Sequence, residues 1–446
     1  MSFSEFIAEC NANEKINISH AICSSKDAIL SEYVKPPYKM DSLKLFFSMT
    51  KSFSSLAIGI AIDLGLLNID DTIIKFFNDE IPPITHKNLE KITIYHLLTM
   101  SSGIHDNTYA ELFVKNNWVS AFLEQKFQHE PGTYYRYSTH SSHMLSAIIT
   151  KVTSLSLEDF LNKYLFYPMG IYEAQWEQSP ENLTAGGMGL SLYPHSLVKV
   201  SQLLLNHGIY NGKSLISKEY LDTATKQHII KQDDIEIPDN DFCGMGYGFQ
   251  FHICKDEFYR LDGAFGQLCL ICPSKNISVI IFSQYSKMEV LLSIIYKHLL
   301  ISNCTWDIYS EHTIKSTTET NGIFNIPFNK YQLYKNELGI KSVEFSINQE
   351  DYRLTVNYDD YVNIIDFSFS HITEGKITFI KDLQNHVQKY VCLTTFEDSV
   401  TLKLFLIETP YIVTYSFTFL ENEVKLDFSI NVSFNMKNQT IIGSTC

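Results

Sequence analysis

The residues of this chain whose types and spacing could perform chemistry are Ser48 and Lys51, within Phe46-Phe47-Ser48-Met49-Thr50-Lys51-Ser52-Phe53. A serine hydroxyl is a weak nucleophile unless a base within hydrogen-bond reach takes its proton during attack. Residues three apart on a helix have Cβ atoms roughly 5–6 Å apart, so the lysine amine can reach the hydroxyl. Burial among the neighbouring apolar side chains would lower the pKa of the lysine towards that of a base. The stretch therefore predicts a serine nucleophile paired with a lysine.

The same spacing has a second interpretation, in which a serine caps a helix and a solvated lysine follows it. Taken alone, two fixed positions favour this interpretation. The helix itself is predicted strongly, because an apolar stripe at helical spacing follows Ser48 and Gly65 then ends it. The stripe consists of Phe53, Leu56, Ala57, Ile60, Ala61 and Leu64.

Several further elements are predicted around this helix. Residues 15–34 alternate like a pair of strands joined by a turn, and residues 246–284 are typical of antiparallel hairpins. Helical patterns cover residues 141–153, 196–206 and 288–300. Beyond residue 322 the alternation of apolar and polar residues repeats in short segments, which predicts an all-β domain such as a barrel.

Other short stretches occur in a definite order after Ser48-x-x-Lys51. They are Ile94-Tyr95-His96-Leu97-Leu98-Thr99, Ser101-Ser102-Gly103, Pro131-Gly132-Thr133, Tyr137-Ser138-Thr139, Ala185-Gly186-Gly187 and Asp262-Gly263-Ala264-Phe265-Gly266-Gln267. In this order and spacing they resemble the serine β-lactamase and penicillin-binding-protein superfamily, in particular its branch near class C β-lactamases, family VIII esterases and D-amino-acid peptidases. The resemblance covers about residues 15–302. It implies an α/β (α+β) fold in which helices and a helical subdomain flank an antiparallel sheet.

The resemblance also implies roles for particular residues. Ser48 would be the acylated nucleophile and Lys51 its proton acceptor. Tyr137 would shuttle a proton between the nucleophile and the leaving group, with Lys51 lowering the pKa of the phenol. The backbone N–H groups of Ser48 and Ala264 would form the oxyanion hole, and Gly263 would leave space for the acyl group.

Residues expected to contact the substrate are Thr139, Leu261, Asp262, Gly263 and Phe265. Two of them depart from the pattern of the family. Thr139 stands where the family has an asparagine, and Leu261 stands where it has a lysine or histidine that steers a carboxylate. Arg260 is adjacent, but strand alternation would direct it to the other face. Asp262 would repel an anionic substrate.

These departures favour an esterase or amidase on small neutral acyl substrates, including an ester, amide or peptide. A D-stereospecific peptidase, a weak β-lactamase or penicillin-binding protein, and a catalytically degenerate binding protein remain as alternatives. A hydrolase with a Ser-His-Asp triad is disfavoured because the sequence has no G-x-S-x-G motif. No metal or organic cofactor is expected.

Composition limits the partners and the compartment. The net charge of −15 argues against nucleic acid or an anionic membrane as a partner. The nine scattered cysteines, the absence of a basic and apolar leader at the N-terminus and the absence of a long apolar run predict a cytoplasmic protein. Cys269 and Cys272 form C-x-x-C within an apolar strand, which predicts buried thiols instead of a metal or redox site.

The length of 446 residues predicts more than one domain. We expect a β-lactamase-like hydrolase domain at residues 1–302, a linker rich in serine, threonine and glutamate at 303–322, and a C-terminal β-barrel domain at 323–446 that resembles a lipocalin-like barrel. The sequence does not determine the oligomeric state or the role of the barrel.

Overall fold

The computed structural model describes residues 1–83, 86–107, 114–231, 246–301, 304–309 and 326–446. The chain forms two compact units. The first contains Met1–Tyr33, Leu45–Phe282 and Ser286–Tyr309, and the second contains Val34–Lys44, Ser283–Tyr285 and the chain from Ser310 to Cys446. The predicted linker lies largely outside the described residues, because 303 and 310–322 are not among them.

The first unit combines helices with an antiparallel sheet. Its helices are α1 (Phe3–Ala12), α2 (Thr50–Asp63), α3 (Ile74–Phe77), α4 (Ile94–Leu98), α5 (Trp118–Leu123), α6 (Thr139–Thr153), α7 (Leu157–Leu161), α8 (Pro194–Leu205), α9 (Lys218–Ala224) and α10 (Met288–Ile295). Its strands are β1 (Ile16–Ser24), β2 (Ile29–Val34), β3 (Lys44–Leu45), β4 (Gln175–Trp176), β5 (Leu190–Leu192), β6 (Ile209–Tyr210), β7 (Lys213–Ser214), β8 (Ile229–Ile230), β9 (Gly246–Tyr247), β10 (His252–Ile253), β11 (Tyr259–Gly263), β12 (Gln267–Cys272) and β13 (Ile277–Ser286).

The main sheet of this unit has eight strands in the order β2-β1-β13-β12-β11-β10-β9-β8. The neighbouring strands from β8 to β13 are antiparallel, as the hairpin spacing predicts. Helices α1 and α10 contribute to an apolar core with alternate residues of β12 and β13, such as Leu268, Leu270 and Ile281. The pattern did not lead us to predict α1, whose Ser2 and Glu5 form a capping box.

Helix α2 is buried all the way from Thr50 to Ala61, not only along the predicted stripe. Three serines on its other faces are compatible with burial because their hydroxyls are bonded. Ser52 donates to the Gln250 carbonyl at 2.6 Å, Ser54 donates to the Gly186 carbonyl at 2.6 Å, and the Ser55 hydroxyl lies 2.9 Å from that of Tyr220. Leu64, which we expected in the stripe, is 46% exposed. Helix α2 is therefore packed against other parts of the protein on all of its faces.

The second unit contains an all-β domain. Its strands are β14 (Lys330–Leu333), β15 (Ile340–Asn348), β16 (Asp351–Tyr358), β17 (Val362–Phe367), β18 (Thr373–Ile380), β19 (Asn385–Phe396), β20 (Val400–Leu406), β21 (Ile412–Phe419), β22 (Glu423–Ile430) and β23 (Gln439–Thr445). They form a sheet in the order β17-β16-β15-β14-β23-β22-β21-β20-β19-β18. Alternate residues face inward and are buried, as Val400, Leu402 and Leu404 show.

The first and last strands of this sheet, β17 and β18, are joined by hydrogen bonds from the side chains of Asn363 and Thr373. The Asn363 amide donates to the Thr378 carbonyl at 3.0 Å, and its carbonyl oxygen accepts from the Thr378 N–H at 2.8 Å. The sheet is thereby nearly closed into a barrel. Both parts of the predicted fold class, the helix-flanked sheet and the C-terminal all-β barrel, are confirmed.

No helix within the described part of the chain is both long and apolar enough to cross a membrane.

Candidate active site

Ser48 is the middle residue of a short 3₁₀ turn, Phe47–Met49, that leads directly into α2. The turn places Phe47 in the left-handed region with φ of 48°, which is unusual for a residue with a large side chain. The Phe47 ring packs edge-on against the ring of Phe265 with centroids 5.5 Å apart. Backbone strain of this kind persists where the surrounding packing holds it. Ser48 thus lies in a strained turn that the surrounding packing holds in place, and not at a regular helix N-terminus.

Lys51 lies one turn along from Ser48 and is only 1% exposed. Its Nζ donates to the Ser48 hydroxyl at 3.1 Å and to the Gly187 carbonyl at 2.8 Å. It also lies 4.9 Å from the centroid of the Tyr137 ring. These contacts contradict the interpretation of Lys51 as a solvated lysine. They place an amine in position to accept the serine proton.

Tyr137 comes just before Ser138, whose hydroxyl accepts from the Ser141 N–H and caps α6. Its side chain contacts that of Ser48, and burial raises the pKa of the phenol well above its ordinary value. The contact with Ser48 opposes this increase in pKa, and the Asp262 charge adds to it. The prediction that Lys51 lowers the pKa of Tyr137 is therefore wrong. Burial removes more of the hydration energy of the phenolate than hydrogen bonds from neighbouring groups replace.

The end of β11 lies beside the Ser48 turn. A Cβ atom at Gly263 would be 2.4 Å from the Phe46 carbonyl oxygen and 2.8 Å from Cβ of Gln267. The glycine is required here because two backbone segments approach each other, which differs from the predicted reason of space for an acyl group. Ala264 follows in a 3₁₀ turn, Ala264–Gly266. An oxyanion hole formed by the N–H groups of Ser48 and Ala264 stays a prediction.

Leu261 is 1% exposed, so protein atoms cover nearly all of its surface. Leu261 and Gly263 lie on one face of β11, where Gly263 approaches Phe46, and Arg260 and Asp262 lie on the other face. Arg260 is accordingly on the opposite face, as alternation predicts. Its Nε donates at 2.9 Å to both carboxylate oxygens of Asp262. The negative charge that we expected to repel an anion is thus paired with a guanidinium.

Thr139 is the first residue of α6 and is buried. Its methyl carbon, Cγ2, would be 2.7 Å from a Cβ atom at Gly187, and Lys51 Nζ would be 3.3 Å from that atom. The structure therefore places Thr139 against the glycine whose carbonyl accepts from Lys51. Its role as a substrate contact stays a prediction.

The loop from Ala185 to Met188 contacts the candidate site, and we predicted no role for it from its residues. Its carbonyls accept hydrogen bonds from three buried side chains of α2 and β4: Gly187 from Lys51, Gly186 from Ser54, and both Ala185 and Met188 from Trp176 Nε1, at 2.8 and 3.0 Å. The run of glycines was the available signal. It indicated a loop, but not that a backbone oxygen of this loop accepts a hydrogen bond from Lys51.

Gln250 is a second residue that we missed. Its side-chain amide donates to the carbonyls of Leu97 and Leu98 at 3.0 Å, and its side-chain oxygen accepts from Ser142 at 2.7 Å. Its backbone carbonyl accepts from Ser52. One side chain and its backbone therefore join α2, α4 and α6, the helices that surround Ser48, Lys51 and Tyr137. No pattern in the sequence points to this residue.

Among the residues that the structure describes, no group of three or more His, Cys, Asp and Glu side chains is arranged to hold a metal ion. Cys269 and Cys272 are both buried in β12 as thiols, which confirms the prediction for this pair.

Known proteins resemble this chain in sequence. A family model described as Beta-lactamase matches residues 21–293, which is more than half of the chain. Protein flp of Staphylococcus aureus (strain MW2) is 30% identical over 138 residues, which are 30% of this chain and 28% of that protein. An uncharacterized protein of Alkalihalophilus pseudofirmus, BpOF4_21049, is 23% identical over 54% of this chain and 74% of its own length. The chain thus spans less than a third of the length of the Staphylococcus relative.

Solved structures resemble it in fold. An octameric penicillin-binding protein homologue from Pyrococcus abyssi has a TM-score of 0.53 at 18% identity and covers 98% of both chains. A putative 6-aminohexanoate-dimer hydrolase from Bacillus anthracis has a TM-score of 0.55 at 17% identity over 67% of this chain and 81% of its own. At these identities the similarity shows the fold alone. The family match over residues 21–293 goes further, and the chain belongs to the beta-lactamase family.

Proposed function

We propose that this protein is a serine hydrolase that forms an acyl-enzyme on Ser48, and that it acts as an esterase or amidase on small neutral acyl substrates. The observation that carries the proposal is the buried Lys51 amine, 3.1 Å from the Ser48 hydroxyl. Membership in the beta-lactamase family supports a serine hydrolase in general. Two proteins of similar fold are described as a hydrolase of 6-aminohexanoate dimer and as a hydrolase with promiscuous acyltransferase activity, which supports acyl chemistry.

The proposed reaction begins when neutral Lys51 takes the proton of Ser48 as the oxygen attacks the acyl carbon. The Gly187 carbonyl keeps the amine in place for this step. The N–H groups of Ser48 and Ala264 would stabilise the negative oxygen that develops. Because Tyr137 keeps its proton at neutral pH, the phenol acts as a hydrogen-bond donor to Ser48 and to the departing atom. The Lys51 ammonium gives the proton taken from Ser48 to the departing oxygen or nitrogen, which leaves as an alcohol or amine, so that Lys51 is neutral again. Water then attacks the acyl-enzyme with Lys51 as base, and the proton taken from water passes to Ser48 as the acid is released.

The preference for a neutral acyl group rests on Leu261. This position carries no charge and no donor, so it cannot steer a carboxylate. The pairing of Asp262 with Arg260 weakens the second reason for this preference, since the carboxylate is already balanced. The acyl part of the substrate is therefore assigned as neutral from Leu261 alone.

The proposal is tested by hydrolysis of p-nitrophenyl esters and by labelling with a fluorophosphonate or penicillin, located by mass spectrometry. We expect Ser48→Ala to lose activity by about 1000-fold or more and to lose the label. Ser120→Ala, which changes a partly exposed serine of helix α5, is the matched serine control and should retain both. Equal ester hydrolysis by the parent and Ser48→Ala would exclude Ser48 from the mechanism. Labelling of Ser48 without turnover would instead indicate a binding protein.

A further inference from the structure

His252 lies beside the candidate catalytic tyrosine although it is far from it in sequence. It is on β10, which pairs with β11 in a register that places His252 opposite Arg260. Its imidazole ring is 6.1 Å from the ring of Tyr137, centroid to centroid, and meets the ring of Tyr247 edge-on at 5.1 Å. The side chain is half-buried. An imidazole therefore forms part of the wall next to Tyr137.

A neighbouring lysine determines which nitrogen of this imidazole carries the hydrogen. Lys231 Nζ lies 2.9 Å from His252 Nδ1. A lysine ammonium has donors and no acceptor, so Nδ1 must be the acceptor and Nε2 must carry the hydrogen. Burial and the charges of Lys231 and Arg260 hold the pKa of the imidazole well below its usual value, which keeps it neutral. His252 is thus a neutral donor at Nε2.

Within the described residues the hydrogen bond found for this ring is the one at Nδ1, and the half-buried position leaves Nε2–H open to water or to a bound molecule. The ring contacts with Tyr137 and Tyr247 require an aromatic ring and no polar atom. Leu261 supplies no donor to the site, and the Tyr137 hydroxyl serves Ser48 and the departing atom. The Nε2–H group is therefore a donor that a bound molecule can use.

We propose that His252 is a specificity-determining residue that donates from Nε2 to a carbonyl oxygen in the leaving group of the substrate. The inference rests on the proposed function, since it takes Tyr137 as the group that faces the leaving atom. The substrate class is then an ester or amide with a neutral acyl part and a leaving group that carries a carbonyl a few atoms from the scissile bond. Lys231 is a positioning residue, because it acts by fixing the tautomer of His252.

The test compares two esters of similar shape, 4-acetylphenyl acetate and 4-isopropylphenyl acetate, of which the first alone has a carbonyl in its leaving group. Each variant is compared with the parent on the same ester, so the intrinsic reactivities of the two esters cancel. We expect His252→Phe to lower kcat/KM by about 2- to 13-fold for the acetyl ester, the range for one neutral hydrogen bond, and by less than about 2-fold for the isopropyl ester.

Three further variants separate recognition from packing. His252→Gln retains a donor and should restore part of the preference for the acetyl ester. Lys231→Met should reduce the same preference, because Nδ1 then competes with Nε2 for the hydrogen. His207→Phe, an exposed histidine bonded to Asp222, is the matched control and should change neither ester. Equal losses on both esters, or no loss on the acetyl ester, would overturn the proposal.

An NMR measurement that requires no turnover tests this inference separately from the proposed function. The probe is 4-hydroxyacetophenone, the phenol released from the acetyl ester, added to Ser48→Ala protein labelled with ¹⁵N-histidine. We expect the ¹⁵N shifts of the two ring nitrogens, read through the carbon-bound ring protons, to show hydrogen on Nε2 of His252 in the absence of the probe. The Nε2 shift should move when the probe is added, and 4-isopropylphenol should leave it in place. A resonance that shows hydrogen on Nδ1, or that is insensitive to the ketone, would refute the assignment even if Ser48 is the nucleophile. A shift without any Ser48-dependent hydrolysis would refute the proposed function and retain the binding site.

Discussion

Gly187→Ala is the substitution whose effect the structure specifies most closely. The backbone of Gly187 is outside the left-handed region, so alanine is allowed there conformationally. The added Cβ would lie 2.7 Å from Cγ2 of Thr139 and 3.3 Å from Nζ of Lys51. The first distance is a steric clash and the second is a close contact. We therefore expect a cost of about 1–3 kcal/mol in the free energy of unfolding, the usual cost of one additional carbon in a tightly packed core.

The clash can be relieved by a second substitution. Thr139→Ser removes the methyl carbon and retains the hydroxyl, so Gly187→Ala combined with Thr139→Ser should recover most of the stability lost in Gly187→Ala alone. Thr139→Ser by itself is the control for the deleted methyl. The activity should recover less than the stability, because the contact with the Lys51 amine remains and Lys51 must stay within reach of Ser48. The two substitutions are in direct contact, so their effects should be strongly non-additive.

The measurement is urea denaturation followed by tryptophan fluorescence, with ester hydrolysis measured on the same samples. The three tryptophans, Trp118, Trp176 and Trp306, all belong to the first unit, so the signal reports that unit. Trp176 is especially informative because its indole N–H bonds the carbonyls of Ala185 and Met188 in the same loop. Parental stability of Gly187→Ala, or equal destabilisation with and without Thr139→Ser, would refute the packing argument.

Three further outcomes are expected. Lys51→Met should slow fluorophosphonate labelling of Ser48 by about 100-fold or more, since the base is removed, and labelling at the parental rate would contradict the assignment. Tyr137→Phe should lower kcat by about 100-fold to the same extent at every pH from 7 to 9, because burial raises the pKa of the phenol and keeps it protonated there; an ionisation in this range that vanishes in the variant would argue against this. Glu181 has its pKa lowered from 4.5 to about 2, with a hydrogen bond from His143 as the largest favourable cause and burial opposing it. Its ionised form thus contributes roughly 3 kcal/mol that is present above pH 4.5 and lost towards pH 2. The stability deficit of Glu181→Gln should shrink over that interval, and an equal deficit at pH 6 and pH 2 would refute the linkage.

Much of the architecture could be predicted from periodicity. The apolar spacing after Ser48 indicated α2, the alternation beyond residue 322 indicated the barrel strands, and glycine at residue 65 marked the end of the helix. The degree of burial of α2 could not be predicted. Its serines are polar, and their bonding partners, Gln250, Gly186 and Tyr220, come from segments far along the chain.

The candidate site could be predicted as a set of residue types and only partly as a geometry. The reach of Lys51 to Ser48 is local, so helical spacing was sufficient to predict it. The pKa of Tyr137 depends on tertiary packing, and the prediction that this pKa is lowered was wrong. The close approach of Phe46 and Gln267 to Gly263 is a packing reason for glycine that we did not predict, and its role in leaving space for an acyl group stays a prediction. The Gly187 carbonyl and His252 depend on loop and sheet contacts between distant segments, which no local pattern encodes.

The contact between β17 and β18, which nearly closes the C-terminal barrel, affects which residues these two strands can expose. Strands at the margin of an open sheet usually protect themselves with charges or proline, because their unpaired backbone groups would otherwise recruit another molecule. Here β17 carries Val362 and Ile364 on its exposed side, at 53% and 49% exposure, and Asp366 follows on the same side as the one charged residue of the strand. The paired amide of Asn363 occupies the backbone groups of Thr378 that would attract a foreign strand. Asn363, together with the Asp366 charge, thus protects the exposed apolar residues of β17 from pairing with a foreign strand.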